Sequence, residues 1–256
     1  MSIFKQLIKS LYSPKDIVMY RFQGIGKTIL FVFLLSLLSL LPSAISLSTD
    51  FTAGVRSLEN AMNDEQVPSF EISDGNLTMS SSEPYISDQG NFVIIIDNTN
   101  TISPMDVSQY GNALAFLANE VILSSQYQAE SIEYSLLEGI SLTSEDISSY
   151  INTLQSSMPI IVTIMIIIMY IFTSAIKFIE VSVAGLIGLA LRNILRLNLK
   201  YQHTWIIAAY SLTIPTVFFM IMDALHIFVP YSGTLNWLVV TLIMYLAMKE
   251  IPRKNK

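Results

Sequence analysis

Residues 57–80 read SLENAMNDEQVPSFEISDGNLTMS, and no Lys or Arg occurs there or anywhere further along until Lys177. Over the same interval, fifteen Asp and Glu are spread from Glu59 to Asp146 among many Ser, Asn and Thr. Long apolar runs flank this block, at residues 28–48 and 159–176. Juxtamembrane Lys and Arg are retained on the cytoplasmic side of a bilayer, so an acidic block without cations between two apolar runs belongs outside. The expected architecture is a polytopic α-helical membrane protein. An α+β extracytoplasmic domain, residues 49–157, is inserted between its first and second spans.

Composition agrees. Apolar residues make up 52% of the chain and charged residues only 13%, where soluble domains carry about 25% charged residues. The net charge of −6 averages an acidic block and a basic remainder. The chain has no Cys, which excludes disulfides and thiolate metal sites. His203 and His226 are its only histidines, so neither a metal site nor a cofactor is expected. Zinc-hydrolase, nucleophile-elbow, phosphate-loop and dinucleotide fingerprints are all missing, so no enzyme is expected. The acidic exterior argues against nucleic acid as a partner.

Residues 1–27 are expected to form a cytoplasmic amphipathic segment. Phe4, Leu7, Ile8 and Leu11 recur at helical spacing, with Lys5 and Lys9 on the other face. Such a helix lies on an anionic leaflet or packs on the protein's own inner face. Ser13 and Pro14 start a second helix as N-cap and first helical residue. Within the acidic block, residues 51–62 and 143–154 read as helices, the second opened by Thr143 and Asp146 as a capping box. Asp74-Gly75 marks a hairpin. Strand formers cluster at residues 92–96, 114–118, 121–127 and 131–137, for a small domain of four or five strands.

The membrane domain, residues 158–256, holds apolar runs at 159–176, 205–222 and 229–248, with a further run at 181–197. If residues 181–197 cross, Arg192, Arg196, Lys200 and the basic tail fall outside. If that run is re-entrant or interfacial, thirteen Lys and Arg lie inside and one outside, and four crossings place both termini in the cytoplasm. Ala184 and Gly188 are spaced for close helix contact. Charged residues near spans are functional candidates by default. Lys177 and Glu180 fall one turn apart, as do Asp223 and His226. Pro215 interrupts its run, and Arg192 and Arg196 are placed to meet lipid phosphate. The plainer readings are an interfacial pair at the turn after the second span, a solvated pair at a boundary, a tolerated proline and two topology markers.

Three sets of residues carry a family resemblance. At the N-terminus these are Phe4-Lys5-Gln6, Ser10-Leu11-Tyr12, Pro14-Lys15 and the run from Arg21 to Lys27. In the acidic block they are the run from Phe70 to Leu77 and that from Val93 to Asp97. Nearer the C-terminus they are the run from Tyr201 to Trp205 and Thr213-Ile214-Pro215-Thr216. With these the chain resembles domain-of-unknown-function family 1189 of Gram-positive bacteria, some of whose members are labelled maltodextrin-utilisation proteins. The run around Pro215 is also similar to Yip-type membrane proteins, which have five spans. The resemblance implies residence in a bacterial cell membrane. The expected function is binding, sensing or assembly through the extracytoplasmic domain, with the lipid bilayer and a membrane or envelope protein as partners. The alternative is a transporter or transporter accessory, for saccharide or lipid.

Overall fold

The structure, a computed structural model, describes residues 1–64, 66–88, 92–125, 128–137, 139 and 141–252. Residues 126–127 and 253–256, the ends of an expected strand and of the basic tail, lie outside the described residues. The chain divides into a helical unit, Met1–Leu47 with Thr163–Lys256, and a sheet-bearing unit, Ser48–Val162.

The helical unit opens with α1 (Ile3–Ser10) and α2 (Pro14–Met19), the latter capped by Ser13 Oγ, which accepts from Asp16 N at 3.2 Å. Next comes α3 (Ile25–Met62), then α5 (Ser144–Ile194), α6 (Tyr201–Ser211), α7 (Thr213–Ala224) and α8 (Ser232–Lys249). Among the described residues, three stretches are long and apolar enough to cross a membrane: Ile25–Asn60, Ser144–Ile194 and Tyr201–Ala224. The eight residues from Thr204 to Ser211 are all buried, so α6 is the centre around which the other helices pack. In α5 the pattern is reversed, because its most apolar window is only 6% buried. Ile160, Ile164, Ile167, Ile171 and Phe172 all face outward. A continuous face of large aliphatic side chains left uncovered by protein is what a lipid-facing helix presents.

Two expectations change here. Residues 181–197 do not form a helix of their own. Residues 181–194 continue the same helix as residues 159–176, and 195–197 begin the turn that follows. Residues 51–62 are likewise the last turns of α3 rather than a helix of their own. The reason is local. Neither Pro42 nor Pro159 breaks its helix, and Lys177 and Glu180 neutralise each other within α5 instead of ending it. Gly185 and Gly188 serve contact rather than breakage. A Cβ on Gly188 would meet Thr204 Cβ at 2.8 Å, and one on Gly185 would meet Trp205 Cα at 3.2 Å.

The sheet-bearing unit holds eight strands among the described residues, more than the four or five expected. β1 (Phe70–Ser73), β2 (Asn76–Met79) and β8 (Leu142–Thr143) form one antiparallel sheet in the order β2-β1-β8. Asp74 and Gly75 both take positive φ, as a two-residue hairpin with this register requires. β3 (Tyr85–Asp88), β4 (Val93–Asp97), β5 (Ala113–Leu117), β6 (Glu120–Ser125) and β7 (Gln128–Glu133) form the second sheet in chain order. β4 and β5 are parallel, joined through α4 (Pro104–Gln109). Strand side chains alternate between faces. Accordingly Ile94 and Ile96 enter one apolar cluster, with Phe70, Phe116 and Ile151, while Val93 and Ile95 enter another, with Val107 and Ile122. Two cores on either side of one fully buried strand replace the missing disulfides.

Asp97 ends β4 and is fully buried. Its Oδ1 accepts from Thr99 N at 2.7 Å and Thr99 Oγ1 at 2.6 Å, and its Oδ2 accepts from Ile102 N at 2.8 Å. Burial pushes this carboxyl upward, but the hydrogen bonds outweigh burial and hold it below its ordinary value. A carboxylate depressed in the folded state stabilises the fold above its unfolded pKa, and the effect is lost as pH falls through the lower folded value. Asp97→Ala is expected to destabilise the sheet-bearing unit by about 2 kcal/mol at neutral pH, through unpaired loop N–H groups. That difference should shrink below about pH 4. Hydrogen exchange of the amides of Thr99 and Ile102 in the full chain measures it.

Candidate functional site

Lys177 stands in the C-terminal half of α5 and is 9% exposed. Its Nζ lies 2.8 Å from Glu180 Oε2, one turn on, and donates to Thr216 Oγ1 on α7 at 3.3 Å. The other Glu180 oxygen, Oε1, accepts from Asn236 Nδ2 on α8. Three helices therefore meet on one ion pair, and both carboxylate oxygens are engaged. The pair lines a cavity of about 450 Å³. Ser39, Thr216, Asp223 and Asn236 supply further polar lining, and Phe219, Ile227 and Phe228 supply apolar lining. Ser39, in the apolar run 28–48, brings α3 to the same cavity. The i,i+3 pairing expected from the sequence forms, but it marks no turn.

α6 and α7 approach the site through a break at Leu212. Pro215 is the third residue of α7, in a first turn whose N–H groups have no intrahelical acceptor. Leu212 N still donates to Ala208 O and Thr216 N to Leu212 O, so the interruption is a local one at Leu212 within the apolar stretch Tyr201–Ala224. Thr216 does not bond back to the backbone freed by the proline; it holds Lys177. The hydroxyls of Ser174, Ser211 and Thr213 are buried without hydrogen-bond partners.

The other candidates separate. Asp223 lines the cavity, whereas His226 takes φ +54° just past the end of α7. Ile227 N closes there on Met222 O at 2.9 Å, a left-handed helix stop. His226 N donates to Asp223 O at 3.0 Å as part of that stop, but among the described residues no side-chain hydrogen bond or ion pair joins the two. Arg196 does the same at the end of α5, with φ +54° and Leu197 N donating to Arg192 O at 2.8 Å. The Arg192 guanidinium donates to Leu199 O and closes that turn. Neither arginine reaches the cavity.

A model of one family, described as protein of unknown function (DUF1189), matches residues 4–248. The chain belongs to this family. No curated protein and no solved structure matches it. Family membership spans both the ion pair and the sheets, and it brings no chemistry of its own.

A second polar cluster, unannounced by any sequence pattern, gathers on Tyr210 of α6. Gln6 Nε2 donates to Gln23 Oε1 at 2.7 Å, Gln23 Nε2 to Tyr210 Oη at 2.5 Å, and Tyr210 Oη to Gln6 Oε1 at 3.0 Å. This closed ring fixes α1 on the bundle by its polar side. Phe4, Ile8 and Tyr12 are left exposed. α1 thus packs on the helical unit through Gln6, Ile3 and Leu7, one of the two placements its pattern allows.

Removing one member of a buried ion pair leaves an uncompensated charge and costs about 3–5 kcal/mol, whereas replacing both is often nearly neutral. Lys177→Met and Glu180→Gln should each lower the thermal midpoint of the full chain in detergent. The double substitution should recover most of the loss. Additive losses would show that the two groups are not coupled.

Proposed function

We propose that this chain is a multi-pass cell-membrane protein with four crossings, by α3, α5, the α6–α7 pair and α8, and with both termini in the cytoplasm. The sheet-bearing unit, corresponding to residues 49–157, then stands outside. Support comes from the charge count. With α5 as one helix, the cations at 192, 196 and 200 fall on the same side as those at 5 to 27, as retention of positive charge demands.

In this reading the protein is a binding or assembly protein, not an enzyme, and its extracytoplasmic unit meets an envelope partner. The observation that carries it is β7. All six of its residues are exposed, and it lies at the edge of the five-stranded sheet. Glu120 on β6 faces Glu133 on β7. Like charges directly opposite each other destabilise a sheet, and Arg56 is the unit's single Lys or Arg. An open edge offers unpaired backbone groups to an incoming strand, and the carboxylates select a cationic one.

The second reading, a transporter or transporter accessory, is favoured by the ion pair and its cavity, because intramembrane charges mark solute pathways. The two readings place the working surface on different units. A photo-crosslinking residue at Ile132 should give a discrete adduct in native membranes, and Glu130→Lys with Glu133→Lys should reduce it about tenfold. No adduct, or one indifferent to charge reversal, would remove β7 as the binding edge.

A further inference from the structure

The valences left over in the cavity define what it can receive. Lys177 has three N–H donors. Glu180 and Thr216 take two, and among the described residues the third has no acceptor. Both oxygens of Glu180 are taken. Asp223 lines the same cavity, and among the described residues no hydrogen bond or ion pair engages its carboxylate. The cavity therefore presents one spare cationic donor and one spare carboxylate. Its three charged groups sum to −1, so a plain anion is repelled overall and a plain cation meets Lys177. A ligand carrying both charges satisfies both groups.

The surroundings narrow the class. The linker between α7 and α8 carries Leu225, Phe228 and Tyr231, all exposed, Phe228 at 88%. Aromatic and apolar residues exposed at the end of a span occupy the headgroup layer of a bilayer. Phe219 and Phe228 wall the cavity beside Asp223, and aromatic faces attract ammonium groups. A volume of about 450 Å³ lies within the range of small-ligand sites.

We propose that this cavity binds a zwitterionic phosphoamine headgroup, with its phosphate on the free N–H of Lys177 and its ammonium on Asp223. The headgroup belongs either to a membrane lipid or to a free phosphoamine. The site rests on the reading of these helices as membrane spans, but it is independent of what β7 binds and requires no translocation.

The test uses the full chain in detergent and three probes: dioleoylphosphatidylethanolamine, dioleoylphosphatidylglycerol, and soluble phosphoethanolamine. The ethanolamine lipid should raise the thermal midpoint and bind saturably, while the glycerol lipid, lacking an ammonium, should do neither. Asp223→Asn, an exposed position safe for folding, should weaken ethanolamine-lipid binding about tenfold, the loss of one charge-assisted contact. Lys177→Met with Glu180→Gln should abolish it. A matching response to soluble phosphoethanolamine identifies a free ligand, and a response to the lipid alone identifies a lipid site. Equal binding of both lipids, an unaltered Asp223→Asn, or no response to any probe would overturn the proposal. The soluble probe needs no membrane, so that arm fails separately from the reading of the helices as spans.

Discussion

A lysine and a glutamate inside a long apolar helix constrain everything around them. An isolated charge in a low-dielectric interior is costly, and only a partner with its remaining valences filled makes it tolerable. Lys177 and Glu180 meet that condition within one turn of α5, and they recruit Thr216 and Asn236 for what is left. Much follows from this arrangement. α5 runs on through its charges, α7 and α8 are drawn to the same height, and a cavity remains where their side chains do not fill the space. Gly185 and Gly188 let α6 and α8 lie close below it.

The sheet-bearing unit solves a different problem. It has almost no cations and no cysteines, so its acidic groups must be hydrated, hydrogen-bonded or left for a partner. Asp97, Asp106 and Asp146 are absorbed locally by loop and cap hydrogen bonds. Glu120 and Glu133 face each other with no cation at hand. Stability comes instead from β4, whose aliphatic side chains feed a core on each face of its sheet.

Local signals were readable in the chain. Asp74-Gly75 announces its hairpin because a two-residue turn needs positive φ, and the caps at Ser13 and Thr143 lie within three residues of the amides they accept from. β8 has two residues and exists only by pairing with β1, some seventy positions away, so no period could reveal it. The charges at 177 and 180 look in sequence like a boundary between two spans, because the groups that pay their desolvation lie 39 and 56 positions further on. Thr216 and Asn236 carried no signal beyond being polar in apolar runs. Pro215 was legible as a disturbance, and the break that accompanies it falls at Leu212.

If α5 crosses once, its ion pair lies within a single span and not at a surface between two. A chain without cysteine allows single nitroxide labels to be placed at will. Labels at residues 160, 164, 168, 172, 176, 179, 183 and 186, read in lipid nanodiscs by oxygen against nickel-chelate accessibility, report depth along the helix. The expected result is a single depth maximum, with no shallow, nickel-accessible interruption at residues 176–179. Two maxima separated by a shallow, nickel-accessible minimum at those residues would contradict it, because the charges would then mark a surface between two shorter segments.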